Sequence, residues 1–268
     1  MLNVPQYQGS RIAVFGLGRS GLVSARALRE SGAEVLVWDD NETRRAEAVA
    51  EGFAVKDLYS GDWHGIEALL LSPGVPLTHP EPHDVVKRAK KLNVPVIGDI
   101  ELFQMALDAA ETEVPFIAIT GTNGKSTTTA LIGHMAAFCG RDAQVGGNIG
   151  KPVLELTAPR PNTVYVIEIS SYQIDLAPHL RPSIGILTNI TPDHIDRHGS
   201  LDGYAAVKEK LFARQVAGDD AMVGIDTPAS AQICSRLLGK GLQRVVPVSV
   251  DKAEADQALF DQYKSTEE

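Results

Sequence analysis

Phe116-Ile117-Ala118-Ile119-Thr120-Gly121-Thr122-Asn123-Gly124-Lys125-Ser126-Thr127 is the stretch that decides the fold. Phe116–Thr120 is short, apolar and β-branched, the composition of a buried strand, and a helix is expected to open at Gly124. The loop between them aims backbone N–H groups at one spot, reinforced by the positive end of the helix dipole. Gly121 and Gly124 allow the sharp turn and the close approach of an anion that a Cβ would obstruct. Lys125 offers a cation to β- and γ-phosphates, and the Ser126 hydroxyl offers an oxygen to Mg²⁺. A nucleoside triphosphate is therefore expected on Gly121, Thr122, Asn123, Gly124, Lys125, Ser126 and Thr127. The longer loop G-x-x-x-x-G-K-[ST] requires glycine at position 119, where Ile119 stands, so this is the shorter G-T-N-G-K-S-T form. A plain glycine-rich helix cap with a solvated lysine is the alternative, and the strand–loop–helix context opposes it.

On either side of this loop, strand-like and helix-like segments alternate. Arg11–Phe15, Glu34–Trp38, Ala68–Ser72 and Val94–Ile97 read as strands, with helical patterns at Ser20–Ser31, Glu42–Glu51 and Glu81–Leu92. After the loop come a helix over Lys125–Phe138 and strands at Thr163–Ile169, Ile184–Asn189, Ala221–Ile225 and Arg244–Val248. Such alternation implies an α/β architecture of parallel sheets covered on both faces. A Rossmann-like N-terminal domain over residues 1–110 and a P-loop ATPase-type central domain over 111–268 are expected, with the boundary in the polar stretch before Pro115. Asp99–Leu107 either closes the first domain or opens the second, and Asp251–Glu268 is charged and weakly amphipathic.

The chain has 268 residues, enough for two cores. Its 25 Lys plus Arg against 34 Asp plus Glu give a net charge of −9, which repels nucleic acid and anionic lipid. Neither a nucleic-acid nor a membrane partner is expected. An anionic substrate must then be captured locally, by oriented amides, a few cations and metal ions. Cys139 and Cys234 stand in no metal-ligand spacing and fit a reducing compartment. The N-terminus shows no basic and apolar signal pattern, and the apolar runs are too short to span a bilayer, so a cytoplasmic location is expected.

Gly16-Leu17-Gly18-Arg19-Ser20-Gly21 follows the first strand and matches G-x-G-x-x-G, and Asp39 closes the second strand. Ser72-Pro73-Gly74 follows a third strand on the same carboxyl edge, where open α/β sheets bind ligands. A nucleotide or its diphosphate suits these turns; tight packing alone, or a dinucleotide, remains open. Glu168 ends an apolar strand and is placed to hold Mg²⁺ beside a phosphate, or to cap a turn. Asp193, His194, Asp196 and His198 crowd the end of another strand as possible ligands or acid/base groups. Lys208 and Lys210 lie on an amphipathic helix expected over Leu201–Gln215, and periodicity gives no reason to prefer either.

Together, G-T-N-G-K-S-T, Gly147-Asn148-Ile149-Gly150, Glu168-Ile169-Ser170-Ser171-Tyr172-Gln173 and Thr188-Asn189-Ile190-Thr191-Pro192-Asp193-His194-Ile195-Asp196-Arg197-His198 resemble the Mur ligase family in order and spacing. The N-terminal Gly-Leu-Gly-Arg-Ser-Gly, Asp39 and Ser72-Pro73-Gly74 look most like its D-glutamate-adding branch. The resemblance implies ATP-dependent amide formation: ATP phosphorylates the carboxylate of UDP-N-acetylmuramoyl-L-alanine, and the amine of D-glutamate displaces phosphate. It implies ATP and two Mg²⁺ as cofactors, and a monomeric enzyme of peptidoglycan precursor synthesis. Carried over, Lys125 meets the phosphates, Ser126 binds the first Mg²⁺, and Glu168 and His194 bind the second. Asn148 helps hold the muramoyl substrate, while Arg19, Ser20, Asp39 and Gly74 surround its UDP portion. Lys208 matches the lysine that becomes a carbamate ligand, and Lys210 is the exposed control. The implied catalytic set is Lys125, Glu168, His194 and Lys208. Family members carry a third domain that completes the ATP site and contacts the amino acid. The chain stops at Glu268, so it is expected to bind the UDP substrate with little or no complete turnover.

Three alternatives stand beside this reading. Another family ligase, such as muramate–alanine ligase or folylpolyglutamate synthetase, shares the phosphate loop, although the latter lacks a UDP-binding first domain. An NAD(P)-dependent oxidoreductase explains Gly16–Gly21 and Asp39 and leaves the loop at Gly121–Thr127 without a purpose. A non-catalytic nucleotide-binding module accounts for binding alone.

Overall fold

The computed structural model describes residues 2–251, so most of the charged Asp251–Glu268 segment lies outside the described residues. The chain divides into two compact units. Among the described residues the first comprises 2–113 with Gly146–Pro161 and Tyr172–Leu180, and the second Val114–Val145 with Asn162–Ser171 and 181–251.

The first unit carries β1 (Arg11–Phe15), β2 (Glu34–Trp38), β3 (Ala54–Val55), β4 (Ile66–Leu71) and β5 (Val96–Ile97). They form a parallel sheet in the order β3-β2-β1-β4-β5. Its helices are α1 (Arg19–Glu30), α2 (Glu42–Ala50), α3 (Asp84–Lys91) and α4 (Asp99–Asp108). The helix expected from Glu81 starts at Asp84, because Pro80 and Pro82 hold the preceding residues out of the helical region and the His83 ring caps the Val85 amide. Likewise β5 begins only after Pro95, which has no N–H to give a ladder; its carbonyl still accepts from Leu69. Asn41 caps α2 through the Thr43 amide. Phe15, Leu36, Leu58, Trp63, Leu69 and Val86 pack one apolar face of this sheet, each worth about 1.5–3 kcal/mol when buried.

In the second unit, β6 (Phe116–Thr120), β7 (Asp142–Gly147), β8 (Thr163–Glu168), β9 (Ile184–Leu187), β10 (Asp220–Gly224) and β11 (Arg244–Val248) order as β11-β10-β9-β6-β8-β7. The pairs β11–β10, β10–β9, β9–β6 and β6–β8 are parallel. Its helices are α5 (Lys125–Phe138), α7 (Ile195–His198), α8 (Leu201–Glu209) and α9 (Pro228–Lys240), while α6 (Ser171–Asp175) has only its first residue, Ser171, in this unit and the rest in the first. The helix expected over Leu201–Gln215 ends as α8 at Glu209 and tightens into a 3₁₀ turn over Lys210–Phe212. β9 stops at Leu187 rather than Asn189, because Thr188 and Asn189 turn to hydrogen-bond the phosphate loop.

Both sheets reverse direction of growth at one strand. β1 sits between β2 and β4, and β6 between β8 and β9. In open α/β sheets the crevice at the carboxyl edge of such a strand is where ligands bind. The sheet order therefore singles out two places, the loop after Phe15 and the loop after Thr120.

Candidate active site

The loop after β6 is held from below and open above. Gly121 has φ +146°, and a Cβ there would run into the Thr188 hydroxyl, so only glycine fits. Gly124, at φ +85°, caps α5 and has nothing within 4 Å of where a Cβ would stand. The Thr122 amide donates to the Asn189 carbonyl (2.9 Å), and the Asn123 amide to Asn189 Oδ1 (3.0 Å). Thr188 Oγ1 and Asn189 Nδ2 donate to the Asn123 carbonyl at 2.7 and 3.1 Å. The loop is thus fastened to the end of β9 by four hydrogen bonds. By helix geometry the first N–H groups of α5 have no intrahelical acceptor, so they face the crevice as an anion site. Lys125 Nζ folds back onto the Thr122 carbonyl (2.8 Å), and Thr127 is exposed.

Glu168 ends β8 beside Ile119 of β6, and it is 1% exposed. Its Oε2 accepts from Ser126 Oγ at 2.7 Å, so a hydroxyl from the phosphate loop and a carboxylate from the next strand meet directly. Two oxygen donors of this kind suit Mg²⁺, which takes one or two protein oxygens and leaves the rest to water and phosphate. Among the described residues no three His, Cys, Asp or Glu side chains gather into a metal cage.

Lys208 is buried on α8, whereas Lys210 is exposed. Nζ of Lys208 donates to Thr120 Oγ1 (3.1 Å) and to the Gly121 carbonyl (3.0 Å), and it lies 4.7 Å from the centre of the Tyr204 ring. Burial, and then the Lys125 charge, pull its pKa from 10.5 down to about 7, with Asp193 and Glu168 pulling the other way. Near neutral pH a sizeable fraction of this amine is uncharged and nucleophilic, the condition that carbamate formation needs.

His194 sits in the left-handed region at φ +51° and caps α7. Its side chain is 47% exposed, with Nε2 3.5 Å from Asp193 Oδ2, and its ring centre is 6.2 Å from that of Tyr204. Asp196 is exposed. His198 is buried, with Nε2 2.9 Å from Ser171 Oγ, so it is committed within the unit rather than presented to a ligand.

In the first unit the loop after β1 repeats the theme. Gly16 (φ +91°) allows the close approach of Ser72, and a Cβ on Gly21 would meet the Gly16 carbonyl. Asp39 is buried: Oδ2 accepts from the Leu17 amide (2.6 Å) and from Arg44 (3.3 Å), and Oδ1 from the Asn41 amide (2.8 Å). It therefore shapes the glycine turn. Arg19 is exposed and, with Leu17, Gly18, Arg26 and Arg44, lines a cavity of about 350 Å³. Ser20 is half-buried at the start of α1, and Gly74 is exposed after β4. Asn148 is exposed in the Gly146–Pro161 segment, which groups with this unit.

The second unit thus brings together Lys125, Ser126, Glu168 and Lys208 around the loop after β6, with His194 on the same side through Tyr204. Thr188, Asn189 and Tyr204 escaped the sequence reading as functional residues. A polar Thr-Asn pair ending an apolar strand was the available signal for the first two. For Tyr204 it was the four-residue spacing from Lys208, which puts both on one helix face.

A parallel-sheet unit with a glycine-rich loop between strand and helix, and a carboxylate-terminated strand beside it, has the build of a phosphate-binding α/β unit. The chain belongs to the Mur ligase family: the sequence model of the Mur ligase middle domain matches residues 119–268. It is similar to UDP-N-acetylmuramoylalanine–D-glutamate ligases, 52% identical over 255 residues to that of Caulobacter sp. strain K31, covering 94% of this chain and 54% of the relative. The enzyme of the same name from Mesorhizobium japonicum is 52% identical over 249 residues, covering 93% and 53%. The chain spans about half the length of the curated relatives it matches.

Solved structures share the fold at low identity. The Neisseria meningitides UDP-N-acetylmuramate:L-alanyl-gamma-D-glutamyl-meso-diaminopimelate ligase superposes with TM-score 0.55 and 18% identity, covering 89% of this chain and 78% of that one. The Thermotoga maritima UDP-N-acetylmuramate–alanine ligase gives 0.53 and 21%, covering 90% and 53%. A second sequence model, the NADPH-binding domain of acetohydroxy acid isomeroreductase, matches residues 6–62. Those residues hold the glycine turn and Asp39, a strand–turn–helix unit that many nucleotide-binding folds share. That match stops well short of the phosphate loop. Among the described residues no helix is long and apolar enough to cross a membrane.

Proposed function

We propose that this chain supplies the UDP-substrate unit and the phosphate-activating unit of an ATP-dependent ligase that adds D-glutamate to UDP-N-acetylmuramoyl-L-alanine. The observation that carries the reading is the direct hydrogen bond from Ser126 of the phosphate loop to the buried Glu168 that ends β8. Kinship at 52% with ligases of that name supplies the substrates.

A free carboxylate is a poor acyl donor, and transfer of a phosphoryl group to one of its oxygens makes phosphate the leaving group when an amine attacks. Atoms balance as ATP, carboxylate and amine giving ADP, phosphate and amide. No enzyme nucleophile is required, so the protein's work is alignment and charge stabilisation. The amides at the start of α5 and Lys125 hold the β- and γ-phosphates in place. Ser126, Glu168, His194 and Lys208 (as a carbamate) are the residues to hold Mg²⁺. When bound, Mg²⁺ neutralises charge on the transferring phosphoryl group. Lys208, largely desolvated and hydrogen-bonded to Thr120 and Gly121, keeps the amine available for carbamate formation. In the first unit Arg19, Ser20, Asp39 and Gly74 form the nucleoside-diphosphate edge, and Asn148 addresses the muramoyl part. The division into residues 1–110 for UDP-substrate binding and 111–268 for ATP binding follows the sequence boundary before Pro115. The reading places the protein in the cytoplasm as a monomer.

Calorimetric competition tests the substrate. UDP-N-acetylmuramoyl-L-alanine should bind more tightly than UDP-N-acetylmuramate; equal affinity, or preference for the shorter compound, would move the chain to the alanine-adding branch. Saturable micromolar NADH binding would instead favour the oxidoreductase alternative.

A further inference from the structure

His198 stands in the cluster after β9 and has no role in the reaction outlined above. Its surroundings give it one. The ring is buried, 7% exposed, on the last residue of α7. On one side Nε2 shares a 2.9 Å hydrogen bond with Ser171 Oγ, three residues beyond Glu168 and the first residue of α6. On the other side its ring packs on Tyr204, centroids 5.3 Å apart at 43°. Tyr204 is 1% exposed and touches three parts of the site. Its hydroxyl lies 3.4 Å from Thr122 Oγ1 in the phosphate loop, its face lies under Lys208 Nζ, and its ring stands at 69° to that of His194. Thr122 Oγ1 in turn donates to the Thr191 carbonyl (3.2 Å) and accepts from the Thr191 amide (3.0 Å), and the Thr122 carbonyl accepts from Lys125.

We infer that His198 is a positioning residue: it braces the turn carrying Glu168, through Ser171, against Tyr204, and so fixes the distance between the metal-binding carboxylate and the phosphate loop. The inference rests on the phosphate-activating reading of the loop. Physically, Ser126 and Glu168 present a usable oxygen pair only while the ends of β6 and β8 keep their spacing. The backbone ladder sets that spacing up to Glu168, because Ile119 pairs with Glu168. Beyond it the chain leaves the sheet. The Ser171–His198–Tyr204 contacts take over there, tying the departing chain to α7 and α8. Groups behind metal ligands commonly change metal affinity by roughly 10-fold or more when removed.

The test uses the full chain as wild type, His198→Phe, His198→Gln and Ser171→Ala. Mg²⁺·ADP affinity is measured by calorimetry, and thermal unfolding is measured without nucleotide. His198→Phe keeps a ring against Tyr204 and loses the bond to Ser171. Ser171→Ala loses the same bond from the other side with little change of volume, and it decides the matter if the phenylalanine variant does not fold. Both variants should weaken Mg²⁺·ADP binding roughly 10-fold. His198→Gln, whose side-chain nitrogen reaches about as far as Nε2, should stay near wild type. A lowered melting temperature with unchanged affinity means a purely structural role and overturns the inference. If the wild type itself does not bind Mg²⁺·ADP, the phosphate-loop reading fails and the inference falls with it.

Discussion

Asp99 is a buried carboxyl, 5% exposed, whose Oδ1 and Oδ2 accept from Gln173 Nε2 at 3.3 and 3.1 Å. Its Oδ1 also accepts from the Ile100 amide (3.0 Å). Burial raises its pKa from 3.8 to about 6, against the hydrogen bonds, which lower it. Between those two pH values the folded protein holds a proton that the unfolded chain has released. Stability must therefore fall as pH rises from about 4 to about 6, and stay flat above that. Moving a carboxyl from 3.8 to about 6 corresponds to about 3 kcal/mol. Asp99→Asn cannot ionise, and Gln173 can turn its amide to offer an oxygen instead. Urea unfolding of wild type and variant at pH 4 and pH 7.5 isolates this group, because every other carboxyl cancels in the difference. The two proteins should be nearly equal at pH 4, and the variant more stable by up to about 3 kcal/mol at pH 7.5. A variant that is less stable at pH 7.5, or a stability difference that does not change between the two pH values, would refute the reasoning.

Other outcomes follow from the same geometry. Gly121→Ala sets a Cβ against Thr188 at φ +146° and should cost about 1–3 kcal/mol in urea unfolding; an unchanged midpoint would show that the loop relaxes freely. Asp39→Ala strands the buried Leu17 amide and should cost about 1–3 kcal/mol while weakening UDP-substrate binding by calorimetry. Lys208, depressed from 10.5 to about 7, is charged in the unfolded chain and increasingly neutral in the fold across that interval. Wild-type stability should therefore gain from this residue as pH rises from 7 to 10, and Lys208→Met should flatten that slope in denaturation curves.

The strand at Phe116–Thr120, the glycine loop and the helix after it were legible because three local signals agree there: β-branched apolar residues, two glycines and a helix start. The first sheet was legible for the same reason at Arg11–Phe15, and at Glu34–Trp38 from its apolar β-branched residues and the helix-capping Asn41 after it. β7 was not read, since Asp142-Ala143-Gln144-Val145-Gly146-Gly147 has a single β-branched residue and two glycines. Its strand character comes from a place at the edge of the sheet, not from composition. α9 carried readable signals, Pro228 at its first position and Gly241 just past its end, and went unread between two clearer strands. Lys208 and Lys210 could not be separated by pattern, because burial at the Tyr204 face depends on how α8 packs on the loop after β6. His198 and His194 look alike in sequence; only the fold buries one against Ser171 and leaves the other half exposed.

The central claim is that Ser126 and Glu168 jointly serve a metal beside a nucleotide's terminal phosphates. A crystal grown with Mg²⁺, a non-hydrolysable ATP analogue and UDP-N-acetylmuramoyl-L-alanine tests it most directly. The account predicts the β- and γ-phosphates over Gly121–Thr127, with oxygens of Ser126 and Glu168 within reach of bound metal and the substrate carboxylate beside the γ-phosphate. A nucleotide seated elsewhere, or phosphates in the loop with the Ser126–Glu168 hydrogen bond intact and no metal, would contradict it.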